Sequence, residues 1–270
     1  MRQPLRPTSE AAARPLNGLQ VLITRPRRQG SSLRDRLTGL GAEVHHVPLI
    51  ETEPVENWDA VDSAIRSLQK YSGLIITSTN GMKYWWDRLH QQHTDQVQAA
   101  RRLDVFVVGR KSGTFVRRLG FRPTVIPGVV DSRTLAQELA GRCSAGSRYL
   151  HPTGDLAGAE LSTILRGHRI AVDDLIVYRT LKANPAALTE LRELFKTRSI
   201  DIVTVFSPSA VEVLADAVPA EELRKVTVAA IGGTTARAVE AASLKTHIVA
   251  DTPSAESLVA AIQRHIRHRG

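Results

Sequence analysis

The sequence predicts an α/β protein made of two related lobes with parallel sheets. Three observations lead there. Short β-branched runs alternate with longer stretches whose apolar residues recur at helical spacing. The whole succession occurs twice along the chain. Each strand run also gives way to its helix through small polar residues, as in "TSTNG" at 77–81 and "SPSA" at 207–210.

Taken in order, "LQVLITR" from Leu19 reads as a strand and "GSSLRDRLTGLG" as a helix closed by Gly41. "AEVHHVPLIETEP" reads as one further strand ended by Pro54, which lacks the N–H a ladder needs. In "WDAVDSAIRSLQKY" the apolar Val61, Ile65 and Leu68 fall on one helical face. "GLIITS" is a buried strand, followed by a helix over 82–92. Strand "LDVFVVG", helix "SGTFVRRLGF", strand "PTVIPG" and helix "SRTLAQELAG" complete the first half.

The second half repeats these units. "RYLHPTG" matches "VLITRP", and the stretch from Ala159 to Thr180 matches Ser31 to Thr52 at an offset of 128. "VTVFSPSAVEVL" follows "LIITSTNGMKYW" at 129, "VTVAAIGGTTARAV" follows "LDVFVVGRKSGTFV" at 123, and "DTPSAESLVAAI" follows "VVDSRTLAQELA" at 122. Offsets that drift by a few residues are what loop insertions leave behind. A period this long means duplicated domains rather than a solenoid, and each copy suits one sheet covered on both faces.

Composition narrows the function. The 270 residues are 42% apolar, and no apolar run approaches the roughly 20 residues that span a bilayer. Only one cysteine, Cys143, is present, so no internal disulfide forms and a reducing, cytoplasmic setting is expected. The formal charge is +9, of which the first 17 residues contribute +2 and the last eight +3. With much of the excess on the two ends, a nucleic-acid groove is not inferred, and no membrane partner is expected. A body at +4 leaves a carboxylate-rich small molecule open as the ligand. Residues 1–18 are expected to form a disordered tail, since "MRQPLRPTSEAAARP" lacks a hydrophobic period.

Ligands of open α/β sheets collect beyond the carboxyl ends of the strands, where helix N–H groups also point. Candidate donors there are Thr24 and Arg25 in "TRPRRQG", Ser78 and Asn80 in "TSTNG", and Ser112 in "GRKSG". Ser207 and Ser209 in "SPSA" and Thr234 and Thr235 in "GGTTA" complete the set. A capped helix is the plainer reading of any single junction; the recurrence of small donors is what points to an anion. No Walker A and no strand-linked Gly-x-Gly-x-x-Gly occurs. His90 and His93 read as surface histidines, Trp85 and Trp86 as packing residues, and Asp173 and Asp174 as a solvated strand entry. Tyr178 differs: it ends a strand where the repeat has Ile50, and a phenol there either finishes the core or donates a proton.

The set "VLITRP", "ITSTNGM", "VVGRKSG", "DDLIVYRT", "FSPSAV" and "AAIGGTTARAV" resembles the uroporphyrinogen-III synthase family from about Leu19 to Ile266. The chain departs from that pattern at Gly233, Ser112, Thr153 and Ala159. The resemblance implies two flavodoxin-like domains joined by a two-stranded linker ladder, with the active site in the cleft between them. It places one domain at 19–50 with 181–266 and the other at 53–177. It implies closure of hydroxymethylbilane, with loss of water and inversion of the last pyrrole ring, by a monomer without cofactor or metal. Tyr178 would be the catalytic residue, with Thr24, Arg25, Ser78, Asn80, Ser112, Ser207, Ser209, Thr234 and Thr235 binding substrate. The alternative expectation is a non-catalytic two-domain sensor that binds an anion.

Overall fold

A strand–helix–strand unit opens the first sheet: β1 (Gln20–Ile23), α1 (Arg27–Gly39) and β2 (Glu43–His46). The computed structural model describes residues 14–129, 132–197 and 200–268. After β2 come β3 (Ile50–Pro54), α2 (Asp59–Arg66), β4 (Gly73–Ile76), α3 (Thr79–Gln92), the short α4 (Val97–Ala100), β5 (Asp104–Val108), α5 (Gly109–Arg118), β6 (Pro123–Ile126) and α6 (Ser132–Ala140). The second half supplies β7 (Arg148–Gly154), α7 (Glu160–Gly167), the long β8 (Ala171–Lys182), α8 (Pro185–Thr197), β9 (Ile202–Val205), α9 (Pro208–Ala217), α10 (Ala220–Leu223), β10 (Thr227–Ala230), α11 (Gly233–Ala241), β11 (Ile248–Val249) and α12 (Ala255–Arg267).

The strands form two sheets, ordered β11-β10-β9-β1-β2 and β3-β8-β7-β4-β5-β6. The chain clusters accordingly into two units, one up to Glu51 and from Leu181 onward, the other Thr52–Thr180. The first sheet is parallel throughout. Its order is the doubly wound arrangement in which the chain starts near the centre and reverses direction once. Each sheet takes a strand–helix–strand piece from one repeat and the remaining strands from the other. The repeat is metrically close: Val21 faces Ile202 and Leu22 faces Val203, while Tyr149 faces Gly73 and Leu150 faces Leu74. Those are the same pairs after the sequence offsets are applied.

Alternation along each strand feeds two cores. In the first unit Leu22, Val203, Val205 and Val228 pack with α8, α9 and α11, while Val21, Ile23, Ile202 and Ala229 pack with α1 and α12. In the second, Leu74, Ile76, Val105, Leu150 and Val177 meet α2, α3 and α5, and Ile75, Tyr149 and Val172 meet α6 and α7. Trp85 is fully buried and Trp86 nearly so, as packing residues should be.

Three local expectations change. The strand expected over "AEVHHVPLIETEP" breaks into β2 and β3 at Val47–Leu49. Pro48 has no donor, so the ladder skips it: Val47 N–H reaches Ile23 O at 3.0 Å and Leu49 N–H reaches Thr24 O at 2.9 Å. β3 then lies beside β8. Val55 N–H donates to Val177 O and Ala183 N–H to Leu49 O, so residue numbers rise on one strand as they fall on the other. The tail also ends sooner than expected. Leu16 is fully buried and its N–H donates to Leu40 O at 3.0 Å; residues 1–13 lie outside the described residues. Lastly, α3 starts at Thr79 rather than 82, because Ser78 caps it.

Candidate functional site

In the second unit a β-bulge places the Tyr178 phenol. β7 and β8 pair in parallel from Arg148↔Ala171 to Thr153↔Ile176, and then Gly154 faces Tyr178. Val177 is the extra residue. Without it, Tyr178 would follow Val172 and Ile176 onto the α6–α7 face. The bulge turns it to the opposite face, where it packs on the core beneath α3. The Tyr178 ring stacks on Tyr84 of α3, with centroids 5.5 Å apart. The Tyr84 hydroxyl donates to Thr52 O at 2.7 Å. Gly154 leaves room for the ring, since a Cβ there would stand 2.5 Å from Tyr178 Cζ and 2.8 Å from its hydroxyl oxygen. Neither Tyr84 nor Gly154 is singled out by sequence reasoning. The pairing of 84 with 178 is long-range, and a bulge leaves no mark in periodicity.

Tyr178 is half-buried. Burial pushes its pKa up, and the charges of Asp155 and Tyr84 add to that; a hydrogen bond with the Ser78 side chain acts the other way. The phenol therefore keeps its proton well past neutrality. Ser78 Oγ accepts from Gly81 N–H at 2.9 Å as the N-cap of α3. Gly81 carries no side chain because a Cβ there would collide with Pro152 O, so the start of α3 sits directly against the end of β7. Asn80, half-buried, lies on the same first turn.

The first unit has an equivalent rim with different chemistry. Ser207, the repeat counterpart of Ser78, caps α9 by accepting from Ala210 N–H at 3.2 Å, with Pro208 at the first helical position. Ser209 is half-buried on the same turn. At the end of β1, the Arg25 guanidinium lies 4.7 Å over the Phe206 ring and donates from Nη2 to Gln29 Oε1 at 2.8 Å. Its Nε is buried with no partner among the described residues, and burial lowers its pKa. A buried, unmatched guanidinium N–H is a donor that a carboxylate would satisfy. The Arg25 carbonyl accepts from His46 Nε2 at 2.8 Å, and the His46 ring fills the space that a Cβ on Gly30 would need.

Three expected donors are out of reach. Thr24 is fully buried, and its hydroxyl donates to Thr204 O at 2.8 Å, tying β1 to β9. Ser112 and Thr235, equivalent in the repeat, are buried at 8% and 4% exposure. Helix-start hydroxyls that face the sheet are core-side residues. Thr234, by contrast, is exposed and receives Arg237 Nη2 at 3.3 Å.

Several plain readings change as well. Asp174 is exposed and Asp173 half-buried, as a solvated strand entry should be, but both are also held by partners. Asp173 accepts from the Tyr71 hydroxyl at 2.7 Å and from Arg148, and Asp174 lies 2.7 Å from His151 Nδ1. His93 is 9% exposed rather than a surface residue, with Nε2 3.0 Å from Asp62 Oδ1. Arg88 grips the same Asp62 carboxylate with two nitrogens and holds its pKa down to about 2. Cys143 is buried, which pushes its thiol pKa up. Among the described residues no cluster of His, Cys, Asp and Glu has metal-binding form, and no helix is long and apolar enough to cross a membrane.

The family model described as uroporphyrinogen-III synthase HemD matches residues 31–260. The porphyrin biosynthesis protein HemD of Ruminiclostridium josui is 25% identical over 91% of this chain, which spans 48% of that protein. The uroporphyrinogen-III synthase of Chlorobaculum parvum is 25% identical over 92% of this chain and 99% of its own length. Among solved structures, a mutant uroporphyrinogen III synthase from Thermus thermophilus has a TM-score of 0.67 at 18% identity. That likeness covers 93% of this chain and 100% of the other.

Proposed function

This chain belongs to the uroporphyrinogen-III synthase family, and from that premise we propose that it closes hydroxymethylbilane to uroporphyrinogen III. The reaction is a cyclising lyase step of tetrapyrrole biosynthesis, with loss of water and inversion of the last ring. The observation that carries the assignment is the family match over residues 31–260. The sensor alternative draws no support from relatives named as synthases. We take the protein to act as a cytoplasmic monomer on a small-molecule substrate.

The chemistry asks for two things. The terminal hydroxyl must leave as water, which needs a proton, and the resulting azafulvene must meet the substituted carbon of the last ring. The substrate supplies its own electrophile, so no cofactor enters the scheme. Tyr178 is the proton donor in this reading. Supporting it are a phenol held protonated by burial, stacked on Tyr84 and packed against Gly154. Its repeat counterpart is Ile50, so nothing in the duplicated fold requires a hydroxyl at that position.

Redirecting the closure is a matter of holding a flexible, eight-carboxylate chain in one conformation. Arg25 is the leading carboxylate contact, on the strength of its unmatched buried Nε. Ser78, Asn80, Ser207, Ser209 and Thr234 are further donors at helix starts, where backbone N–H groups add to them. The test is product analysis. Wild-type protein incubated with hydroxymethylbilane should give the type III isomer faster than the buffer gives type I. Type I alone, at the buffer rate, would remove the assignment.

A further inference from the structure

A polar chain crosses three neighbouring strands of the second sheet on the face opposite Tyr178. Asp174 on β8 stands opposite His151 on β7 in the strand register. His151 is 4% exposed; its Nδ1 lies 2.7 Å from Asp174 Oδ1 and its Nε2 2.9 Å from Thr77 Oγ1. Thr77 follows the last residue of β4 and precedes the cap Ser78, so its half-buried hydroxyl belongs to the carboxyl-end rim.

The fold does not need this chain. In the first unit the equivalent positions are Phe206 for Thr77, Ile23 for His151 and His46 for Asp174. Ile23 is fully buried in an apolar core. The sister sheet therefore has hydrocarbon at two of the three positions, and its His46 turns to the Arg25 carbonyl instead, whereas the second unit buries an imidazole between a carboxylate and a hydroxyl. Burying polar groups costs free energy unless every one is matched, and nothing in the repeat asks for it.

The proton directions follow from the donor inventory. An ionised carboxylate only accepts, so His151 Nδ1 carries the proton and donates to Asp174. With the ring's single proton on Nδ1, Nε2 is the acceptor and the Thr77 hydroxyl donates to it. Asp174 is held ionised: burial works against its charge, but hydrogen bonds from His151 and Ser162, with Arg166 nearby, leave its pKa below the ordinary value. The Thr77 hydroxyl then has no proton to offer a ligand; it offers a lone pair. Such a group is of no use to a carboxylate and suits an N–H donor.

We propose that Thr77 is a substrate-binding acceptor for a pyrrole N–H of the tetrapyrrole, and that His151 and Asp174 are positioning residues fixing its polarity. The proposal rests on the reading of the protein as a uroporphyrinogen-III synthase and names a contact within it. A linear tetrapyrrole carries four pyrrole N–H groups besides its carboxylates. A rim made only of donors would hold the carboxylates and leave those N–H groups unmatched. The rim of the second unit would thus sort the two kinds of group, with helix-start donors for acid side chains and Thr77 for ring nitrogen.

The experiment is a double-mutant cycle on Thr77→Val and His151→Leu. It is read as kcat/KM, as the type III to type I ratio, and as the dissociation constant for uroporphyrinogen III under anaerobic conditions. Each single variant should lose about five- to tenfold in kcat/KM and in affinity, the worth of one hydrogen bond. The double variant should lose no more than either alone. Thr77→Ser and His151→Gln, which keep an acceptor hydroxyl and a partner for it, should recover most of what Thr77→Val and His151→Leu lose. Should His151→Leu fail to fold, Thr77→Val and His151→Gln still decide the matter, with thermal unfolding as control. Wild-type affinity in Thr77→Val, or losses that add fully in the double variant, would overturn the proposal. The binding arm is independent of turnover. If wild type makes no type III isomer yet Thr77→Val still weakens binding, the enzyme reading falls and the N–H contact stands.

Discussion

Replacing Gly154 with alanine is the sharpest perturbation the geometry offers. The added Cβ would sit 2.5 Å from Cζ, 2.6 Å from Cε2 and 2.8 Å from the hydroxyl oxygen of Tyr178. Ordinary carbon contacts begin near 3.5 Å, so the ring must retreat by roughly 1 Å. Its retreat is blocked, because Tyr84 stacks on the ring and is itself anchored to Thr52 O at 2.7 Å. Overpacking of this kind costs about 1–3 kcal/mol of stability. A displacement of about 1 Å in a catalytic group lowers turnover by as much as 10²-fold. The assay is single-turnover formation of the type III isomer alongside thermal unfolding. Gly154→Ala should slow turnover far more than its loss of stability explains. Combined with Tyr178→Phe it should add little, since the phenol it misplaces is already gone. Unchanged turnover in Gly154→Ala, or full additivity with Tyr178→Phe, would refute the placement of the phenol as the acid.

Further outcomes follow from other contacts. Ser207→Ala removes the cap of α9 and should cost about 1 kcal/mol in denaturant unfolding, with a loss in kcat/KM no larger than one hydrogen bond, about tenfold. Asp62, its pKa held at about 2 mainly by Arg88, stabilises the fold at pH values above the unfolded carboxylate pKa of 3.8. That contribution, about 2 kcal/mol, should be lost as pH falls from about 4 to about 2, and Asp62→Asn should flatten the acid limb of stability. If Arg25 holds a carboxylate, affinity for uroporphyrinogen III should fall as salt is raised from about 0.1 to about 1 M, and less so in Arg25→Gln. Affinity indifferent to salt in both proteins would count against that contact.

Much of the architecture can be read from the sequence because it is written twice. The offset of 128 that aligns Ser31 with Ala159 also aligns the β1–β2 register with that of β7–β8, Gln20↔Glu43 against Arg148↔Ala171. The junction chemistry is legible only in part. Ser78 and Ser207 are caps first, as the plain reading has it, and a buried hydroxyl such as Thr24 or Thr235 cannot be told from an exposed one by residue type. Tyr178 stands out because its repeat partner is apolar. What aims it does not, since the bulge at Val177 is a mismatch between two strands and neither strand shows it alone. The Thr77–His151–Asp174 chain escapes sequence reasoning for a similar reason. Its members lie on β7, on β8 and just past the end of β4, and no local period links them.

The most direct measurement is single-turnover closure of hydroxymethylbilane by wild type and Tyr178→Phe, with the two uroporphyrinogen isomers separated chromatographically. Loss of a positioned general acid is worth about 10²–10⁴ in rate. The account predicts a decrease of that size in type III formation, with a folded protein and an unchanged isomer preference in the residual activity, because positioning is spread over other residues. Tyr178→Phe that forms type III at the wild-type rate would contradict it.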